Sequence, residues 1–202
     1  RWHASKEVSG KDMETFITAI DQVRVSIYGP MKELIIDGES AIVKSWEANA
    51  YFQRKGIKVH VRAPGQHAKF IERRGALLRD SLRKGDSQLA AEGLVDIPFA
   101  LRLSEHTFAG NATLSINGST PYCALHGRVL PMLPDINHCA PDAAGSLPGI
   151  TRHADRLREI AVMRMIESSA KSRIERALNT KTKSSAQERF QTDDLVDFWL
   201  PQ

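Results

Sequence analysis

Cysteine is scarce in this chain. Cys123 and Cys139 are the two in 202 residues, so no disulfide framework supports the fold and stability must come from a packed core. Aromatic residues make up 6%, too few to line a carbohydrate cleft, which argues against a carboxylate-pair glycosidase. No apolar run approaches the eighteen or so residues that span a bilayer, and there is no signal-peptide pattern. The expectation is a soluble, intracellular chain, nuclear or cytoplasmic, with no membrane partner. Cys123-x-x-His126 followed by His138-Cys139 lacks the tight pairing on both halves that a structural zinc site shows.

What the chain has is an apolar fraction of 42% beside 26% charged residues, enough for one domain of ordinary size with appendages. The net charge of +4 is unevenly spread. Residues 151–191 carry Arg152, Arg156, Arg158, Arg164, Lys171, Arg173, Arg176, Lys181, Lys183 and Arg189 against five acids. A basic arm of this kind suits a phosphate backbone, because each neutralised phosphate releases counterions. The same stretch has Leu157, Ile160, Ala161, Met165, Ile174 and Leu178 at roughly helical spacing, and charges opposite such a stripe are often only a solvated face.

The hydrophobic pattern predicts an α/β core followed by a mostly helical tail. Residues 1–8 alternate as a strand and 11–26 have helical period. The apolar run 33–36 reads as a short strand buried in a parallel sheet. A helix over 41–55, capped by Ser40 and ended by Gly56, leads to a strand over 57–61. Pro64-Gly65 breaks the chain before a helix that carries Glu72 and runs to about residue 84, tied to the core by Phe70, Ile71, Leu78 and Leu82. A second helical region over 94–108, a polar segment over 110–120 and a Pro-rich linker follow. Trp46 and Trp199 read as core or barrel packing.

Two carboxylates stand out in this frame. Asp37 closes the first buried strand, with Gly38 beside it to allow close approach, and ligands of open α/β sheets collect at the carboxyl ends of strands. Glu72 lies thirty-five residues later on a basic helix. Together they supply the hard oxygen ligands that a divalent cation requires. Each has a plainer reading as well: Asp37 as a cap for the following helix, Glu72 as an ion-pair partner of Lys69 or Arg73. Glu39 is a competing ligand.

The segment Leu34-Ile35-Ile36-Asp37-Gly38-Glu39-Ser40-Ala41, followed by Ala63-Pro64-Gly65-Gln66-His67-Ala68-Lys69-Phe70-Ile71-Glu72-Arg73, resembles the second and third acidic positions of the retroviral-type integrase core. Gly118-Ser119-Thr120-Pro121-Tyr122-Cys123-Ala124-Leu125-His126-Gly127-Arg128-Val129-Leu130-Pro131 is similar to a passage that follows this core in integrases of long-terminal-repeat retrotransposons, especially the gypsy type. Asp193-Asp194-Leu195-Val196-Asp197-Phe198-Trp199 resembles the opening strand of the small β-barrel that comes after it.

The resemblance implies a ribonuclease H-like fold in which carboxylates hold Mg²⁺ or Mn²⁺ for DNA strand transfer, with Asp37 and Glu72 as catalytic metal ligands. It implies a partial core over 1–130, a Pro/Gly linker over 131–150, a basic helical tail over 151–191 and a first barrel strand over 192–202. The family's first Asp has no counterpart among the thirty-six residues before Asp37, so the expectation is a polyprotein fragment that begins downstream of it and lacks activity. Implied DNA contacts are Gln66, Lys69, Arg79 and Arg83 around the Glu72 helix, and Arg173, Arg176, Lys181 and Lys183 in the tail. Implied partners are the element ends and target duplex, with a homo-oligomer in the parent protein. The alternative is a domesticated, non-catalytic nucleic-acid-binding module of the same fold.

Overall fold

Short β-branched and apolar runs make the sheet, and longer 3.6-periodic stretches make everything else. The computed structural model describes residues 2–36, 45–62, 69–94, 96–115, 118–129 and 150–179. Its helices are α1 (Met13–Ile20), α2 (Trp46–Arg54), α3 (Lys69–Ala91), α4 (Phe99–Thr113), α5 (Pro121–His126) and α6 (Ile150–Asn179). Strands β1 (Glu33–Ile36) and β2 (Lys58–Val61) pair in parallel, with Glu33 opposite Lys58 and Ile36 opposite Val61. The described chain is therefore mostly helical with one small parallel sheet, an α/β arrangement at that coarse level.

The first packing unit is β1, α2 and β2 with α1 laid against them. Val25, Ala48, Phe52 and Ile57 are its buried centre, and Met13, Phe16, Ile17, Ile20, Leu34 and Val59 pack around it. Asp12 caps α1 by accepting from the Thr15 amide, and the helix continues in π form over Asp21–Val25 before a last turn at Ser26–Tyr28. Ser45 caps α2 by accepting from the Ala48 amide. The cap expected at Ser40 lies outside the described residues. Gly56 ends α2 with φ of 69°, a backbone that residues with a Cβ rarely adopt.

Three expectations need correction here. Residues 2–8 form no strand. Their polar groups are met by a helix: the His3 amide donates to the Asn111 side-chain oxygen at 3.0 Å, and the Asn111 side-chain amide donates to the His3 carbonyl at 2.7 Å. A side-chain amide thus does what a neighbouring strand would do. The run 33–36 is not buried on both faces, since Ile36 is buried while Ile35 is 55% exposed; among the described residues only one face of the pair is covered. Trp46 is 76% exposed, on the solvent side of the helix whose Ala48 and Phe52 point inward.

The second unit is built by α3, α4 and α6. Leu78, Leu82, Leu103, Ala109, Leu114, Ala161, Val162 and Met165 make one cluster, and Leu89, Leu157 and Ile160 continue it. Each of these Leu, Ile, Val or Met side chains taken fully from water contributes about 1.5–3 kcal/mol. The helix expected as a basic tail is thus a central packing partner of α3 and α4. Helix α3 runs to Ala91, past the expected stop near 84, and α4 starts at Phe99 instead of 94 because Gly93, with φ of 74°, turns the chain.

The Thr-Pro-Tyr passage is a short capped helix. Thr120 accepts from the Cys123 amide, Pro121 takes the first helical position, where its missing N–H is no loss, and Gly127 closes α5 in the left-handed region. Tyr122 stacks on His126 with ring centroids 4.3 Å apart, and Trp2 packs edge-on to His126 at 5.7 Å and to Tyr28 at 6.2 Å.

Candidate functional site

Parallel pairing puts the carboxyl ends of β1 and β2 at the same end of the sheet. There the Arg62 amide donates to the Ile36 carbonyl at 3.0 Å. Seven residues after Arg62 the chain begins α3, whose first turn holds Glu72. Asp37 and Gln66 lie outside the described residues, as do Lys181 and Lys183; of Lys69 only the helical backbone is described.

Glu72, Arg79 and Arg83 are all exposed. Their spacing of seven and four residues keeps them on one face of α3, opposite buried Arg74, Leu78, Ser81 and Leu82. Arg83 is partly engaged, donating to the Asp80 carboxylate at 2.9 Å. Phe70 and Ile71 do not anchor the helix as expected: they are 36% and 63% exposed, because the first turn of α3 extends beyond the contact that Leu78 and Leu82 make with α4 and α6.

Helices α3 and α6 run antiparallel, which the cross-helix contacts trace. Arg156 forks onto Glu92 at 2.6 and 2.9 Å, Arg164 reaches Gln88 at 2.9 Å, Lys84 meets Glu167 at 3.1 Å, and Arg73 reaches the Ser172 hydroxyl at 3.5 Å. Arg158 forks onto Glu105 of α4 at 2.8 and 2.9 Å. Arg156, Arg158 and Arg164 therefore tie the first half of α6 to its neighbours, the first two through bidentate pairs with Glu92 and Glu105, while Arg156 also reaches Glu159 and Arg164 also reaches Glu167 within α6.

The second half differs. Arg173 and Arg176 are exposed, and both lie close enough to Arg73 to act on it. Burial, and then the positive charges of Arg176 and Arg173, push the Arg73 guanidinium below its ordinary range. Arg173 and Arg176 of α6 thus lie within electrostatic range of Arg73 of α3. The cluster stands one residue from Glu72 on α3. The sequence reading named Arg173 and Arg176 but missed Arg73, which takes its place only through the antiparallel pairing.

Arg74 is 7% exposed, and its guanidinium reaches the Gly110 carbonyl and the Asn111 side-chain oxygen, each at 3.4 Å. This helps fix Asn111, which in turn holds His3. Burial and the Arg74 charge together lower the His3 pKa.

Among the described residues there is no group of three His, Cys, Asp or Glu side chains able to hold a metal, and no helix long and apolar enough to cross a membrane. Of the expected metal pair, the described residues include Glu72 and not Asp37. Two carboxylates suit one ion better than a bridged pair of ions. Comparison with family models finds no match, and comparison with curated proteins finds none of significance.

Proposed function

We propose that the chain is part of a metal-dependent polynucleotidyl transferase of the retroviral-type integrase class, from a long-terminal-repeat retrotransposon, with a ribonuclease H-like core as its parent fold. The observation that supports this reading is the parallel register of β1 and β2, whose carboxyl ends at Ile36 and Val61 lie at the same end of the sheet. The ordered resemblance of three sequence passages supports it further. Asp37 and Glu72 are the residues that would hold Mg²⁺ or Mn²⁺, and such an ion supplies charge stabilisation at the scissile phosphate.

The protein's own groups have the remaining roles. Arg73, Arg173 and Arg176 grip the phosphate backbone beside Glu72, and Arg79 and Arg83 extend the positive face along α3. Phosphate contacts of this kind position a duplex and carry no sequence information themselves. A non-catalytic nucleic-acid-binding module would keep the arginines and dispense with the carboxylates.

Binding of nonspecific duplex DNA over a salt series tests the grip. Log K should fall by about 0.9 per phosphate contacted for each unit of log salt, and changing Arg73, Arg173 and Arg176 to Gln should flatten the slope by about 2–3. An unchanged slope in the triple variant, with its helix content intact, would remove the cluster from the interface.

A further inference from the structure

Helix α6 has a second apolar stripe that faces away from its core. Leu157, Ile160, Ala161 and Met165 are buried, whereas Met163, Ile166, Ile174 and Leu178 are 48%, 49%, 59% and 80% exposed. Ala170 is exposed between them. At about 100° per residue, positions 163, 166, 170 and 174 share an arc of about 80°, and the stripe to Leu178 is about 22 Å long. A helix with one face in the core normally shows polar residues on the other.

We propose that this stripe pairs with the same stripe of a second copy of the chain, the two α6 helices antiparallel about a two-fold axis near Ser168 and Ser169. Charge complementarity selects the partner and the direction. Glu167 and Lys171 flank the stripe on the same side, with side chains 49% and 65% exposed. In an antiparallel pair like flanks meet, so Glu167 faces Lys171 of the second copy, and the symmetry repeats the contact. The same register sets Met163 against Ile174 and Ile166 against Ala170, again twice. Apolar layers and ion pairs thus agree on one axis to within a residue.

A parallel pair would bring this flank against Ser169 and Arg173, where no acid answers Lys171. Within its own chain Lys171 meets Glu175 only at 3.9 Å, whereas Glu167 already meets Lys84 at 3.1 Å and Arg164 at 2.6 Å, so across the axis Lys171 adds a third cation to a carboxylate shared by two. A stripe of this length buries less than the roughly 800 Å² per partner of a standard interface, so the dimer is weak and concentration-dependent. The pairing is isologous, as a closed two-fold dimer requires.

Sedimentation equilibrium of the chain over a concentration series, in reducing buffer, tests this. The wild type should show a reversible monomer–dimer equilibrium, and Ile166→Lys with Ile174→Lys should be monomeric with an unchanged melting curve. Glu167→Lys and Lys171→Glu should each weaken the dimer about tenfold, since two ion pairs become repulsions. An equimolar mixture of these two variants should recover the affinity, because position 167 of each copy then again faces an opposite charge at position 171 of the other. As recovery needs both proteins folded, it also excludes damage to the fold. A wild type monomeric at every concentration would overturn the proposal and leave the stripe to another segment of this chain or to a different protein. A dimer that survives the double Lys substitution, or a mixture no tighter than its components, would overturn it equally.

Discussion

His106 is wholly buried between α3 and α4, its Nδ1 2.7 Å from the Ser81 hydroxyl, and its Nε2 has no hydrogen-bond partner among the described residues. Burial pushes its pKa down to about 4, against opposing effects of Asp86 and Glu105. The folded state therefore resists a proton that the unfolded chain accepts below about 6.5. The stabilisation is complete above that value and is lost as pH falls from 6.5 towards 4, by an amount on the order of 3 kcal/mol. Urea midpoints at pH 7.5 and 5 should differ in that direction, and His106→Asn should shrink the difference; an equal shift in both proteins would remove His106 as its source. Gly85 stands against the same ring: a Cβ there would come 2.6 Å from Nε2. Gly85→Ala should lower stability by about 1–3 kcal/mol, although alanine favours a helix by about 1 kcal/mol, because overpacking displaces a closely held ring. A raised melting temperature would show that the ring moves aside freely.

At the scale of elements, what could be seen in the sequence depended on how local its cause is. The strands at 33–36 and 58–61 follow from short apolar and alternating runs with Gly56 between α2 and β2, and the common face of Glu72, Arg79 and Arg83 follows from helical period. The segment 2–8 alternates in the same way yet is no strand, because what meets its backbone is Asn111, over a hundred residues away. Likewise no periodicity within α3 or α6 could have brought Arg73 to Arg173 and Arg176; that needs the antiparallel pairing of helices separated by fifty-eight residues of chain, 92–149. Asn111→Ala should release the N-terminal segment, leaving the His3 amide without its acceptor and Arg74 with one contact fewer. Hydrogen exchange at His3 should quicken by about 5- to 150-fold while α6 amides keep their protection, since one lost backbone-like clamp is worth about 1–3 kcal/mol. Equal exchange at His3 in both proteins would show that Trp2 packing, not Asn111, holds the segment.

Over the whole molecule, an α/β unit carries the sheet end that starts Asp37, and a helical unit presents Glu72 beside a guanidinium cluster. The two are joined through the chain that leads into α3, and the proposed metal site, unlike the phosphate grip, depends on their acting together. Its most direct test is Mn²⁺ binding followed by electron paramagnetic resonance on the wild type and on Asp37→Asn and Glu72→Gln. The account predicts one site in the wild type, weakened strongly by either substitution alone, because a hard cation held by two carboxylates loses half its charged ligands in each case. A site indifferent to both substitutions, or lost with one and untouched by the other, would contradict a shared metal site at Asp37 and Glu72.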